Sequence, residues 1–159
     1  MRKIFGVILC ATMFFGFFSC GRKEAYYQFS EIKSSKWHKS DTLRFVIDST
    51  LIDNRIPYNV FIDITNDGDY PYRNIWFYVE DNISDTAFSF NPKQYMLADE
   101  FGKWYGSGFG TQYQMSLIYE DSLYFTGRRN YEIKIVHGMR DEPLSGIEKV
   151  GIRIEKAIK

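Results

Sequence analysis

Apolar residues recur with period two along most of this chain, and no other feature restricts its fold as tightly. Leu43, Phe45 and Ile47 alternate with Arg44, Val46 and Asp48, and Val60, Ile62 and Ile64 alternate with Asn59, Phe61 and Asp63. Ile75, Phe77 and Val79 take one phase while Trp76 and Tyr78 take the other. The pattern returns in Tyr131, Ile133 and Ile135 and again in Val150, Ile152 and Ile154. Successive side chains of a strand point to opposite faces, so each run predicts a half-buried strand. Their β-branched and aromatic content suits a pleated surface. Turn signals stand between the runs: Asn66-Asp67-Gly68-Asp69, Asn91-Pro92, Phe101-Gly102-Lys103, Gly127 and His137-Gly138. The loop 65–72, which also holds Pro71, reads as an extended hairpin turn between strands at 58–64 and 73–79. Gln112–Tyr119 reads equally as a brief helix or a strand, and Pro143–Glu148 as a single helical turn. Short strands with regular turns and no alternating helices predict an all-β fold, an antiparallel β-sandwich of immunoglobulin-like or jelly-roll-like type over 41–159. At 159 residues there is room for one such domain and hardly two.

The N-terminus follows a different rule. Met1-Arg2-Lys3 is a short positive start, and Ile4 to Phe18 is apolar apart from weak spots at Gly6, Thr12 and Gly16. That stretch is too short for a hydrocarbon core of about 30 Å, which takes roughly 20 helical residues. A charged start and a short apolar run predict a secretory signal peptide. The ending Phe17-Phe18-Ser19-Cys20 resembles the lipobox of bacterial lipoproteins, with Phe17 where leucine is usual. The resemblance implies cleavage after Ser19, a diacylglycerol and an N-acyl chain on Cys20, and anchoring in a membrane. Residues 1–19 are then the signal peptide, and 20–40 a lipidated N-terminus and polar tether. At roughly 3.3 Å per residue such a tether would reach about 65 Å from the lipid. Gly21-Arg22-Lys23-Glu24 carries no acidic run, which favours a periplasm-facing protein over surface export.

Charge and cysteine content narrow the chemistry. Lys+Arg and Asp+Glu number 20 each, so the basic excess that a nucleic-acid partner requires is missing. Of the 2 cysteines, Cys10 leaves with the signal and Cys20 is consumed by the thioether, leaving no disulfide and no thiolate for zinc. His38 and His137 have no metal-ligand spacing and read as polar surface residues, His38 in the tether and His137 at a turn. Gly106-Ser107-Gly108-Phe109-Gly110 superficially resembles a nucleophile elbow or a phosphate loop. The serine is offset by one position from G-x-S-x-G, and no helix start or lysine follows. The reading that survives is a glycine-rich strand edge where another backbone approaches closely. Asn66-Asp67-Gly68-Asp69 lacks the continuation a calcium loop needs. Neither a catalytic residue nor a metal or other cofactor is expected, and the protein reads as a non-enzyme.

Aromatic content is the one excess: 12 Tyr, 14 Phe and 3 Trp, of which Phe5, Phe14, Phe15, Phe17 and Phe18 belong to the signal. Phe61, Trp76 and Tyr78 fall on the outward phase of strands, and Trp104-Tyr105 adjoins the glycine run. Outward rings mark protein interfaces or sugar-stacking platforms. Trp76, Trp104, Tyr105, Gly106, Gly108 and Gly110 are therefore the candidate partner-binding residues, with an envelope glycan-binding or glycan-processing module as the alternative. The latter expects a groove floored by Trp104 or Tyr105 with two carboxylates facing each other.

Three segments carry a wider resemblance: Asn66 to Trp76, Asp99 to Gly110, and Gly138 to Ile147 followed by Val150-Gly151-Ile152-Arg153-Ile154-Glu155. With the lipobox, and in this order, they resemble the GldH gliding-motility lipoproteins of Bacteroidetes over nearly the whole chain. The resemblance implies an envelope lipoprotein needed for gliding, in a system linked to type IX secretion; docking onto partner proteins of that machinery is the expectation that the exposed aromatics and the Gly106–Gly110 region add. The resemblance brings no catalytic residues.

Overall fold

The computed structural model describes residues 24–157; the signal peptide and Cys20 lie outside them. Eleven strands follow in chain order: β1 (Glu24–Glu31), β2 (Lys36–Trp37), β3 (Leu43–Ile47), β4 (Tyr58–Asn66), β5 (Asn74–Asp81), β6 (Ser89–Met96), β7 (Ser107–Phe109), β8 (Gln112–Leu123), β9 (Tyr131–His137), β10 (Leu144–Ser145) and β11 (Ile147–Lys156). They form a five-stranded sheet ordered β1-β11-β4-β8-β7 and a four-stranded sheet ordered β3-β9-β5-β6, with β10-β2 as a small ribbon. All pairings are antiparallel. The two sheets face each other as a sandwich, as the alternation predicts.

The core is the inward phase of those runs. Phe45, Ile47, Val60, Ile62, Ile64, Ile75, Phe77, Val79, Ile133, Ile135, Val150, Ile152 and Ile154 lose all contact with water. Tyr58, Phe125 and Tyr131 close one end edge-to-face, with ring centroids 5.6 Å and 4.8 Å apart. Trp37 closes the other, 6.1 Å from Phe77 and 5.4 Å from His137.

Five expectations change. The stretch expected as a tether is part of the sandwich from Glu24 on: β1 pairs along its length with β11, from Glu24↔Glu155 to Glu31↔Lys149. Further along the same stretch, Trp37 is fully buried and its indole nitrogen donates to the Asp41 carbonyl at 2.8 Å. The polar character of 25–40 is that of an edge strand with one face in water, where Tyr27 and Phe29 lie half exposed. Second, β4 and β5 do not pair; loop 65–72 crosses from one sheet to the other, and Gly68 is not among the glycines of positive φ. Third, Asn91-Pro92 lies inside β6, a sheet edge, where a residue without an N–H costs no ladder bond. Fourth, Pro143–Glu148 supplies β10 and the start of β11, not a helical turn. Fifth, His137 is buried on the inward phase of β9 instead of exposed at a turn. Gln112–Tyr119 resolves as strand, the first part of β8.

Candidate functional site

The outer face of the four-stranded sheet carries a cluster of exposed rings. Strand alternation puts Trp76 and Tyr78 outward on β5 while Ile75, Phe77 and Val79 point into the core. On the neighbouring edge strand β6, Pro92 stands opposite Tyr78 and Gln94 opposite Trp76. Phe90 is 60% exposed and packs on Tyr78 with centroids 5.5 Å apart. Beyond β9 the chain turns back over this face: the Gly138 amide donates to the Trp76 carbonyl at 2.7 Å, and the Trp76 amide approaches the Met139 sulfur at 3.4 Å. The result is a groove of about 590 Å³ between Tyr72, Trp76, Tyr78 and Pro92 on one side and Gly138, Met139 and Arg140 on the other. A Cβ on Gly138 would lie 3.0 Å from the Tyr78 ring and 3.1 Å from the Trp76 Cβ, so glycine sets how closely this turn approaches the rings.

Trp104 lies elsewhere. It belongs to a short hairpin, 97–105, held by an Ala98–Trp104 bridge and by Asp99, whose Oδ1 accepts from the Phe101 and Lys103 amides at 2.9 Å each. Its ring is half buried, packed against Tyr113 at 5.7 Å and Tyr70 at 6.3 Å, while Tyr105 is 58% exposed. Tyr70 in turn meets Tyr72 at 5.9 Å. Trp76 and Trp104 are thus not in ring contact, and Tyr70 and Tyr72 stand between the groove and the hairpin. Trp104 lies half buried against other rings, which leaves less of its face free for stacking on a sugar.

The glycine run is a structural edge. Gly106 and Gly108 lie against β8 so tightly that an added Cβ would fall 2.7 Å from the Gln114 carbonyl oxygen and 1.7 Å from that of Gln112. Gly110, with φ +66°, starts the two-residue turn into β8. What this hairpin offers outward is Phe109, 96% exposed at its tip.

Buried polar groups brace the fold. Asp81, in phase with Ile75, Phe77 and Val79, accepts from the Tyr119 hydroxyl across the sandwich, from the Asn91 side chain at 3.2 Å and from the Ile83 amide at 3.0 Å. Burial first, and then the Asp81 carboxylate, push the Tyr119 hydroxyl far above the ordinary tyrosine range, so it stays a donor. On the opposite outer face Arg153 bonds Asp63 at 2.9 Å and covers the Phe61 ring at 4.4 Å. The first network ties the two sheets together, and the second joins the neighbouring strands β4 and β11. His38 Nδ1 lies 2.9 Å from the Glu142 carboxylate at the surface, far in the chain from His137. Among the described residues no group of three or more His, Cys, Asp or Glu side chains gathers as metal ligands would.

Strand phase alone places Trp76 and Tyr78 outward, as they lie, but does not single out Phe90, Tyr72, Gly138 and Met139. Phe90 lies on the edge strand β6, whose mostly exposed side chains hide its phase; the other three reach the groove through loops, which leave no periodic trace.

Fold and site together define an antiparallel sandwich with exposed rings around a groove on one outer face. The chain belongs to the GldH lipoprotein family, whose model matches residues 24–154. It is 30% identical to the gliding motility lipoprotein GldH homolog of Christiangramia forsetii, with 99% of each chain covered. It is 27% identical to the gliding motility lipoprotein GldH of Flavobacterium johnsoniae, with 95% of each covered. The family match opens at Glu24, the first residue of β1, so the matched span includes the strand expected as part of a tether.

Proposed function

We propose that the protein is a cell-envelope lipoprotein, anchored through acylated Cys20 and facing the periplasm, that docks onto partner proteins of a gliding-motility apparatus linked to type IX secretion. The reading assigns it no chemistry of its own. Its relatives' names support the gliding context, and one observation supports docking: half-exposed Trp76 and Tyr78 line the groove and Phe90 packs on Tyr78 beside it, on a sheet face left open to water. Rings of this kind bury large area at low conformational cost, which is why they carry binding energy at interfaces. Tyr105 and the exposed tip of the glycine hairpin form a second contact region on the same reading.

The test is in-cell crosslinking followed by purification of the acylated protein. Replacing Trp76 and Tyr78 together by alanine is expected to reduce the crosslinked partners at least tenfold while the far-ultraviolet circular dichroism stays that of a β-sandwich. Unchanged crosslinking in a folded double variant contradicts the groove assignment. Palmitate incorporation that disappears in Cys20→Ser checks the anchor separately.

A further inference from the structure

The register of the sheets fixes which end of the sandwich is nearest the anchor. Glu24 opens β1 opposite Glu155, and on the next strand Lys156 pairs with Tyr58, which pairs with Leu123. At this same end Ile47 pairs with Tyr131 and Asp81 with Ser89. It therefore carries the segments 48–57, 82–88 and 124–130. The opposite pole carries loop 65–72, the 97–105 hairpin and the β7–β8 turn; a Cβ added to Gly68 there would lie 3.8 Å from the Thr111 carbonyl oxygen. Only Gly21, Arg22 and Lys23 separate Cys20 from Glu24. Four residues at full extension span about 14 Å, and Tyr58, two strands from β1, lies about 10 Å further across the sheet.

We infer that the 48–57/124–130 pole rests on the headgroups of the bilayer that holds the anchor; the inference depends on Cys20 being acylated, as proposed above. Two exposed side chains there suit that position, Leu51 at 47% and Tyr124 at 53% exposure. Between the two segments lies a polar groove of about 680 Å³ bordered by Asn54, Arg55 and Arg128. Leu51 and Tyr124 would not hold a free protein on lipid. A leash this short makes the contact intramolecular, at an effective concentration in the millimolar range, so a weak contact suffices. Tyrosine prefers such a boundary, with its ring toward apolar surroundings and its hydroxyl wet. β8, at about 3.3 Å per residue, then lifts the far pole about 35 Å from the lipid, where Phe101 and Phe109, 88% and 96% exposed, face the aqueous side.

The test uses the full acylated chain in vesicles of phosphatidylethanolamine and phosphatidylglycerol containing headgroup-quencher lipid. With Cys10 removed and Cys20 blocked by its thioether, Leu51→Cys, Tyr124→Cys and Phe109→Cys each give a protein with a single free thiol for an environment-sensitive fluorophore. Labels at 51 and 124 are expected to be quenched several-fold more than at 109, and a twenty-residue glycine-serine spacer after Lys23 is expected to abolish the difference. Equal quenching at all three positions, or quenching unaffected by the spacer, overturns the seating. Mass spectrometry of Cys20 separates the two possible failures: a missing acyl group overturns the anchor and the seating together, whereas an acylated protein with unquenched labels overturns the seating alone.

Discussion

Trp76, Trp104, Gly138 and His137 show how different the same kind of residue becomes once its surroundings are known. Trp76 is 38% exposed and Trp104 is packed on Tyr70 and Tyr113. Trp76→Ala is expected to cost about 1–2 kcal/mol and Trp104→Ala about 2–4 kcal/mol in urea unfolding, since lost packing scales with burial. Of the two, Trp76 is the cleaner probe of binding. Gly138→Ala is expected to cost about 1–3 kcal/mol, because its methyl would press on the Tyr78 ring and the Trp76 Cβ. A midpoint unchanged in denaturant would show that the turn can move away. His137 is 1% exposed, and neither ring nitrogen has a hydrogen-bond partner among the described residues. Burial lowers its pKa from 6.5, with the Glu142 charge opposing in part. Below pH 6.5 the unfolded chain therefore takes up a proton that the folded protein resists, and stability falls as the pH drops until the folded value is passed. Above pH 6.5 this contribution is level. His137→Leu is expected to remove that slope from the pH dependence of unfolding; an identical slope in the variant would assign it to other groups.

At the scale of elements, β1 and β7 are the revealing cases. β1 covers the edge of β11, so a chain beginning at Lys33 is expected to melt well below the full domain and to aggregate, because the bared edge is a template for pairing. Equal melting temperatures would return residues 24–32 to the role of tether. Gly108→Ala is expected to detach β7 from β8, seen as fast hydrogen exchange at 107–109, since its Cβ would overlap the Gln112 carbonyl. The strands β3, β4, β5, β9 and β11 were legible because each buries one face against the opposite sheet and so alternates strictly. β1 and β6 were not: both are edge strands with mostly exposed side chains, which erases the alternation. His137 was legible in principle, being in phase with Tyr131, Ile133 and Ile135, but the glycine after it suggested a turn one residue early. Loop 65–72 kept its turn residues yet changed partners, because a hairpin and a crossover between sheets use the same local chemistry. Of the candidate site, the two ring positions on β5 followed from phase, whereas the groove's other wall comes from a loop that only the folded chain brings over them.

For the whole molecule, the family assignment, the sandwich and the short leash combine into an oriented object. On the inferred seating β1 starts near the lipid; Trp76 sits near the end of β5 that borders loop 65–72, so the groove would lie toward the pole far from the anchor. On that seating, a partner approaching from the aqueous side would meet the groove together with Phe101, Tyr105 and Phe109. The docking claim is tested most directly by placing a photo-crosslinking amino acid at Tyr78 or Phe90, and for comparison at Tyr27 or Phe61 on the opposite outer face, in cells producing the acylated protein. Discrete adducts with envelope proteins are expected from Tyr78 and Phe90, absent from the other two positions and lost in Cys20→Ser. Adducts of equal strength from both faces, or none from Tyr78 and Phe90, would contradict it.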